Sequence, residues 1–233
     1  MNRVLLMGDI HGEVKRLADI ANKIDNWTKD DLIIILGDFG CIWDRKTAKL
    51  KLDYIAELPF TVAFLDGNHE NFPLIKEMEQ ITLWNGGYIG MLSGGTIHLL
   101  RGEIYNINNK TIGVCGGANS IDKYWRTEGE SWWAEEEIIE NDVNNFKNNL
   151  LIKNLENKKL NIMLSHDCPI EILPTVRAFS GVNKMSSFSN SQKRLQEIYK
   201  MINVDKWYFG HWHFDLQLDD KFTCMYRNIK QII

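Results

Sequence analysis

Val4-Leu5-Leu6-Met7 runs without a break into Gly8-Asp9-Ile10-His11-Gly12. Further along, Leu32–Leu36 runs into Gly37-Asp38, and Thr61–Leu65 runs into Asp66-Gly67-Asn68-His69-Glu70. The pattern returns at Thr111–Cys115 before Gly116-Gly117-Ala118-Asn119, at Asn161–Leu164 before Ser165-His166-Asp167, and at Trp207–Phe209 before Gly210-His211-Trp212-His213. Short apolar runs that end on turn residues read as buried strands. Helical periods fill gaps between them. Val14, Leu17, Ala18, Ala21 and Ile24 share one face. Ile139, Val143, Phe146 and Leu150 share another, on a helix predicted to begin near Ala134, and Leu195, Ile198, Tyr199 and Ile202 share a third. Thr96–Leu99, Glu103–Asn106, Asp215–Leu218 and Phe222–Arg227 read as further strands. Strands alternating with helices predict an α/β sandwich of layered sheets. In such sheets the ligand crevice lies beyond the strand C-termini, where these polar clusters fall.

The chain has 233 residues and suits one domain spanning 1–233. Hydrophobic residues make up 44% and charged residues 25%, an ordinary balance for a soluble globular protein. No apolar run approaches the ~18 residues of a membrane span, and the N-terminus lacks a secretory apolar segment. A net charge of −4 argues against tight nonspecific binding to nucleic acid. The cysteines Cys41, Cys115, Cys168 and Cys224 are dispersed with no C-x-x-C, which suits reduced thiols in the cytoplasm.

The strand-end clusters hold seven metal-capable side chains: Asp9, His11, Asp38, Asn68, His166, His211 and His213. Carboxylate, carboxamide and imidazole donors suit Mn, Fe, Zn, Co or Ni. Asp9 and His11 are two apart, so on an extended segment both would face one ion, and His211 and His213 repeat that spacing. Seven donors exceed one tetrahedral site and suit two adjacent ions sharing a carboxylate. Such a pair clamps the attacking and leaving oxygens of a phosphoryl displacement and acidifies a bound water.

Gly8-Asp9-Ile10-His11-Gly12, Gly37-Asp38, Gly67-Asn68-His69-Glu70, Ser165-His166 and Gly210-His211-Trp212-His213 resemble, in order, the motifs of calcineurin-like metallophosphoesterases, in a bacterial or phage-type form. The resemblance implies two mixed β-sheets flanked by α-helices. It implies two divalent transition-metal ions, manganese foremost. Asp9, His11, Asp38 and His213 would hold the first, and Asp38, Asn68, His166 and His211 the second. A metal-bridging hydroxide would attack a phosphate mono- or diester. His69 would be catalytic without binding metal, either stabilising the transferring phosphoryl group or protonating the leaving alkoxide. The implied partner is a phosphate-ester substrate, a nucleotide among the candidates; no membrane partner is implied, and oligomeric state is left open.

One departure stands out. Many relatives, including serine/threonine protein phosphatases, read G-D-x-x-D at the second motif, where this chain has Gly37-Asp38-Phe39-Gly40-Cys41. The missing carboxylate would orient His69, and Asp44 is the nearest substitute. Gly8-Asp9-Ile10-His11-Gly12 and Gly67-Asn68-His69-Glu70 suggest a serine/threonine phosphoprotein phosphatase as the alternative enzyme reading, and a non-catalytic interaction module on the same fold is the alternative of another class. The segment Gly116–Arg126 should open onto the crevice, offering Asn119, Lys123 and Arg126 to substrate oxygens. Trp125, Trp132 and Trp133 could wall a base there, against a packed surface loop as the plainer reading. His98 fits no motif and reads as a structural histidine; Cys168 and Cys41 read as buried thiols.

Overall fold

The computed structural model describes residues 3–181 and 187–233. In chain order its elements are β1 (Val4–Met7), α1 (Lys15–Lys23), β2 (Leu32–Leu36), α2 (Arg45–Ala56), β3 (Thr61–Leu65), α3 (Phe72–Met78), β4 (Gln80–Trp84), β5 (Gly87–Met91), β6 (Ile97–Leu99), β7 (Ile104–Ile107), β8 (Lys110–Cys115), α4 (Glu140–Ile152), β9 (Lys159–Ser165), α5 (Leu173–Ser180), α6 (Asn190–Met201), β10 (Asn203–Phe209), β11 (Leu216–Gln217), β12 (Phe222–Cys224) and β13 (Lys230–Gln231). One sheet has the order β13-β1-β2-β3-β6-β5-β4 and the other β11-β12-β10-β9-β8-β7. Strands β1, β2, β3 and β6 are parallel, as are β8, β9, β10 and β12; antiparallel strands close the edges. The expected sandwich of two mixed sheets flanked by helices is what the chain forms.

The continuous apolar runs have a direct packing reason. Side chains alternate across a strand, and both faces of the central strands are covered. Val4 and Leu6 of β1, with Leu32, Ile34 and Leu36 of β2, face the second sheet and meet Ile112, Val114, Ile162 and Leu164. Leu5, Met7, Ile33 and Ile35 face the other way, onto Leu17 and Ile20 of α1 and Leu52 and Ile55 of α2. The second sheet repeats this, with Met163, Trp207 and Phe209 under Phe146 of α4 and Leu195 and Ile198 of α6.

Some boundaries differ from the sequence reading. The helix expected from Ala134 begins at Glu140, and Ala134–Glu136 forms a separate 3₁₀ turn. The break follows from two carboxylates: Asp142 accepts the Ile139 N–H at 2.9 Å, while Glu136 turns inward to Ser120. Helices α2 and α3 and the β4–β5 hairpin were missed. Each carries a local signal. Asp44 caps α2 by accepting from Lys46 and Thr47, Asn71 caps α3 by accepting from Leu74, and Asn85-Gly86 closes the hairpin at φ 47 and 80.

Candidate metal centre

The parallel strands deliver their C-terminal clusters to one end of the sandwich, and most of the predicted ligands meet there. Asp9, His11, Asp38 and His213 each present a donor atom, all within 4.8 Å of one another. His11 Nε2 is 3.1 Å from His213 Nε2, and His213 Nε2 is 3.1 Å from Asp9 Oδ2. Asp9 and Asp38 are buried while His11 and His213 are exposed, so this group opens to solvent on the histidine side. His213 is raised above its usual range because it sits against Asp9.

A second group lies deeper. His166 Nε2 is 3.2 Å from Asp38 Oδ1 and 3.2 Å from Asn68 Oδ1. The His211 ring lies 5.0 Å from the His166 ring, and burial lowers its pKa. Asp38 joins the groups, its Oδ1 facing His166 and its Oδ2 lying 3.7 Å from His11 Nε2. Burial alone would raise the Asp38 carboxyl, but the surrounding imidazoles, His166 first, hold it well below the usual range.

These donors fit a cation. His166 Nδ1 donates to the Leu36 carbonyl at 2.7 Å, which leaves the Nε2 lone pair aimed at two oxygens that are themselves electron-pair donors. With Nε2 deprotonated these three lone-pair donors suit a cation between them; without one, a proton on Nε2 fills that place and pairs with Asp38. The same field acts on the imidazole: burial lowers its pKa, yet Asp38 and Asp9 push it up to about 10.

Backbone strain marks the site. Among the described residues, positive φ outside glycine occurs at asparagines, at Lys158 and at four proposed ligands: His11 (φ 46), Asp38 (φ 47), His211 (φ 68) and His213 (φ 54). The extended i, i+2 geometry expected for Asp9/His11 and His211/His213 is therefore corrected, although Asp9 and His11 still present donors to one group. His11 sits in a turn, and His211 and His213 face different groups, His211 toward His166 and His213 toward Asp9. Left-handed residues break the side-chain alternation of a strand.

The ligands are held from behind. Asp38 Oδ1 accepts the Asn68 and His69 N–H groups at 2.9 and 2.8 Å. Asp9 accepts the His211 N–H at 3.0 Å. Glu70 accepts from the backbone of Phe39 (2.7 Å) and Gly40 (3.2 Å), fixing the turn after Asp38. Its carboxyl is pushed up to about 8, first by burial and then by Asp38. Gly37, at φ 90, leaves room for the His166 ring that any Cβ would occupy. Tyr226 stacks on His213 with centroids 4.7 Å apart, and Arg16 donates to the carbonyls of Asp9 and Tyr226.

His69 lies beside the ligand group, its ring 5.3 Å from that of His11. Among the described residues, no carboxylate is hydrogen-bonded to its ring. Asp44 is committed to capping α2, and Cys41 is a fully buried thiol whose pKa burial pushes up. Instead, Arg126 Nη2 donates to His69 Nδ1 at 3.0 Å, and Asp122 holds the same guanidinium nitrogen at 2.7 Å. His69 has its pKa lowered, by burial first. Arg126 was expected to meet substrate; the structure places it on His69, Asp122 and the Ser131 carbonyl. Lys123 reaches Asn119 Oδ1 at 3.2 Å and lies over the Trp132 ring. Trp133 is buried against Trp43, which removes it from any wall for a base, whereas Trp125 is 89% exposed.

Sequence reasoning missed Ser120, Glu136, Arg16 and Tyr226 as supports. Ser120 stands within the cluster already singled out, beside Asn119; no local pattern marks the others. His98, read as structural, lies buried between Glu79 (2.7 Å) and Asp66 (3.5 Å), outside both groups.

The family model described as calcineurin-like phosphoesterase matches residues 2–215. No curated protein matches. A solved structure of TT1561 from Thermus thermophilus is similar at 12% identity, covering 98% of this chain and 97% of that one, with a TM-score of 0.52. Another, the phosphopantetheinyl hydrolase PptH from Mycobacterium tuberculosis, is 15% identical over 97% of this chain and 90% of that one, with a TM-score of 0.45. The chain belongs to the calcineurin-like phosphoesterases, a metal-dependent family acting on phosphate esters.

Proposed function

We propose that this family member is a cytoplasmic phosphoesterase with a two-ion centre. Asp9, His11, Asp38 and His213 would hold one divalent ion. Asp38, Asn68, His166 and His211 would hold the other, with manganese as the expected metal. The observation that carries this reading is the Asp38 carboxylate, which turns one oxygen to each imidazole group. When bound, the ions supply charge to hold phosphoryl oxygens and acidify a water for attack. The residues do the rest. Asp38 is held rigid by two backbone N–H groups and lies between the donor sets. His69 accepts from Arg126 at Nδ1, so its hydrogen resides on Nε2, free to donate to a phosphoryl or leaving-group oxygen. The exposed His11 and His213 mark the side from which a substrate enters. Exposed Trp125, adjoining Arg126, supports a substrate with a planar group such as a nucleobase. The four buried free cysteines support a reducing, cytoplasmic setting.

An arginine rather than a carboxylate beside His69 favours this general phosphoesterase reading over a serine/threonine phosphoprotein phosphatase. The test is metal analysis with a substrate panel. Chain loaded with Mn²⁺ should bind about two ions and hydrolyse p-nitrophenyl phosphate or its bis ester faster than a phosphopeptide. Phosphopeptide preference would support the protein-phosphatase alternative. Absence of both metal and turnover would sink the enzyme reading and support the interaction module.

A further inference from the structure

Asn68 differs from the other proposed ligands because its side chain has two unlike ends. Only the carboxamide oxygen can ligate, yet Oδ1 and Nδ2 have nearly the same shape. Something must choose which one faces Asp38 and His166. We propose that Glu136, acting through Ser120, makes that choice; the inference rests on the two-ion reading above.

The chain of hydrogen bonds has one polarity. Glu136 is fully buried at the end of the 3₁₀ turn Ala134–Glu136. Its Oε1 accepts the Ser120 N–H at 2.7 Å, and its Oε2 accepts the Ser120 hydroxyl at 2.6 Å. Burial raises the Glu136 carboxyl above its usual range, but the Ser120 N–H and hydroxyl each place a donor on one of its oxygens and favour the ionised form, which has no hydrogen to give, so the Ser120 hydroxyl hydrogen points at Glu136. Ser120 Oγ then offers only lone pairs to its other neighbour, Asn68 Nδ2, at 3.0 Å. The amide must place its nitrogen on Ser120 and its oxygen toward His166 Nε2, where it lies at 3.2 Å. The flipped amide would set two oxygens face to face at Ser120 and aim N–H hydrogens at a cation.

The turn that carries Glu136 is itself anchored next to Asn68. Arg101 donates to the carbonyls of Glu135 (2.9 Å), Glu136 (3.3 Å) and Glu137 (3.0 Å), and its Nε donates to Asp66 Oδ2 at 2.7 Å. Ala118 N–H reaches the Glu136 carbonyl at 3.0 Å. Glu136 is thus fixed relative to the end of β3, and Ser120 and Glu136 are positioning residues that touch neither substrate nor ion.

A double-mutant cycle tests this with Mn²⁺ affinity, followed by the electron paramagnetic resonance of free Mn²⁺. Glu136→Gln lets an amide donate to Ser120 and frees the serine hydroxyl to donate to the asparagine oxygen. It should weaken one of two Mn²⁺ binding phases by roughly 10–100-fold, the cost of losing a ligand's supporting partner. The cycle is closed in an Asn68→Asp background, where an oxygen faces the ion whichever way the side chain turns and the other oxygen meets Ser120 Oγ lone pair to lone pair. There Glu136→Gln frees the serine hydroxyl to donate to that oxygen, so Mn²⁺ binding should change by less than about threefold or tighten. Should Glu136→Gln fail to fold, Ser120→Ala runs the same cycle. Equal losses in both backgrounds, or no loss in the wild-type background, overturn the inference. Failure of the two-ion reading is distinct: the unmutated chain would then bind fewer than about two Mn²⁺.

Discussion

Asp38 sits at φ 47 between two groups of imidazoles and turns one carboxylate oxygen to each. Asparagine tolerates the left-handed backbone but halves the oxygen count; alanine removes both oxygens. Asp38→Ala should therefore abolish hydrolysis, by roughly a thousandfold or more, and lower Mn²⁺ binding in both phases. Equilibrium dialysis alongside turnover checks it, and full metal retention would count against a shared ligand. Arg126 calls for a different outcome. It touches His69 but no proposed ligand, so Arg126→Ala should lower kcat by roughly 10–100-fold with metal content unchanged. If KM rises instead and kcat holds, Arg126 binds substrate as the sequence alone had indicated. The seven proposed ligands could be picked out at this scale by their three residue types, because only lone-pair donors can serve. The partner of His69 could not, because the arginine lies 57 positions away in sequence.

Three element ends meet at His98: β6 carries it, β3 ends near Asp66, and α3 is followed by Glu79. Phe64 stacks on its ring at 4.8 Å, and Arg101 pairs with Asp66 beside it. Burial alone would lower the imidazole pKa, but Asp66 and Glu79 outweigh it and push the value up to about 9. A raised folded-state pKa stabilises the protein fully below the unfolded value of about 6.5, and the stabilisation fades as pH rises through about 9. The gap in Tm between wild type and His98→Gln should thus be widest below pH ~6.5, shrink between pH ~6.5 and ~9, and level off above that. A gap that stays constant to pH ~10 would show that His98 acts by packing alone. The strands of this region were readable from apolar runs. The charged helix α2 was not, since its buried Ala48, Leu52 and Ile55 are spaced among lysines and its start is marked only by the Asp44 cap.

Across the whole molecule, two sheets bring their parallel strand ends to one edge, concentrating carboxylates and imidazoles in one place. Burying Asp9 and Asp38 side by side costs electrostatic free energy that His166 offsets in part and a bound cation would offset further. Mn²⁺ should therefore raise Tm and chelation should lower it; saturation at about 100 times Kd corresponds to roughly 2.7 kcal/mol per site. Calorimetry with and without chelator measures this, and an unchanged Tm would argue against a metal centre at these residues. The sequence by itself determined the strand runs, the donor types at their ends and the resemblance to the family, because alternation and ligand chemistry are written locally. The resemblance already implied which donors share a group and that His211 and His213 part company; only the tertiary structure decided that Arg126 stands at His69 and that Glu136 reaches Asn68 through Ser120. Asn68 meets Ser120 across 52 positions of chain and His11 meets His213 across 202, and sheet order, not local sequence, sets which of them come together.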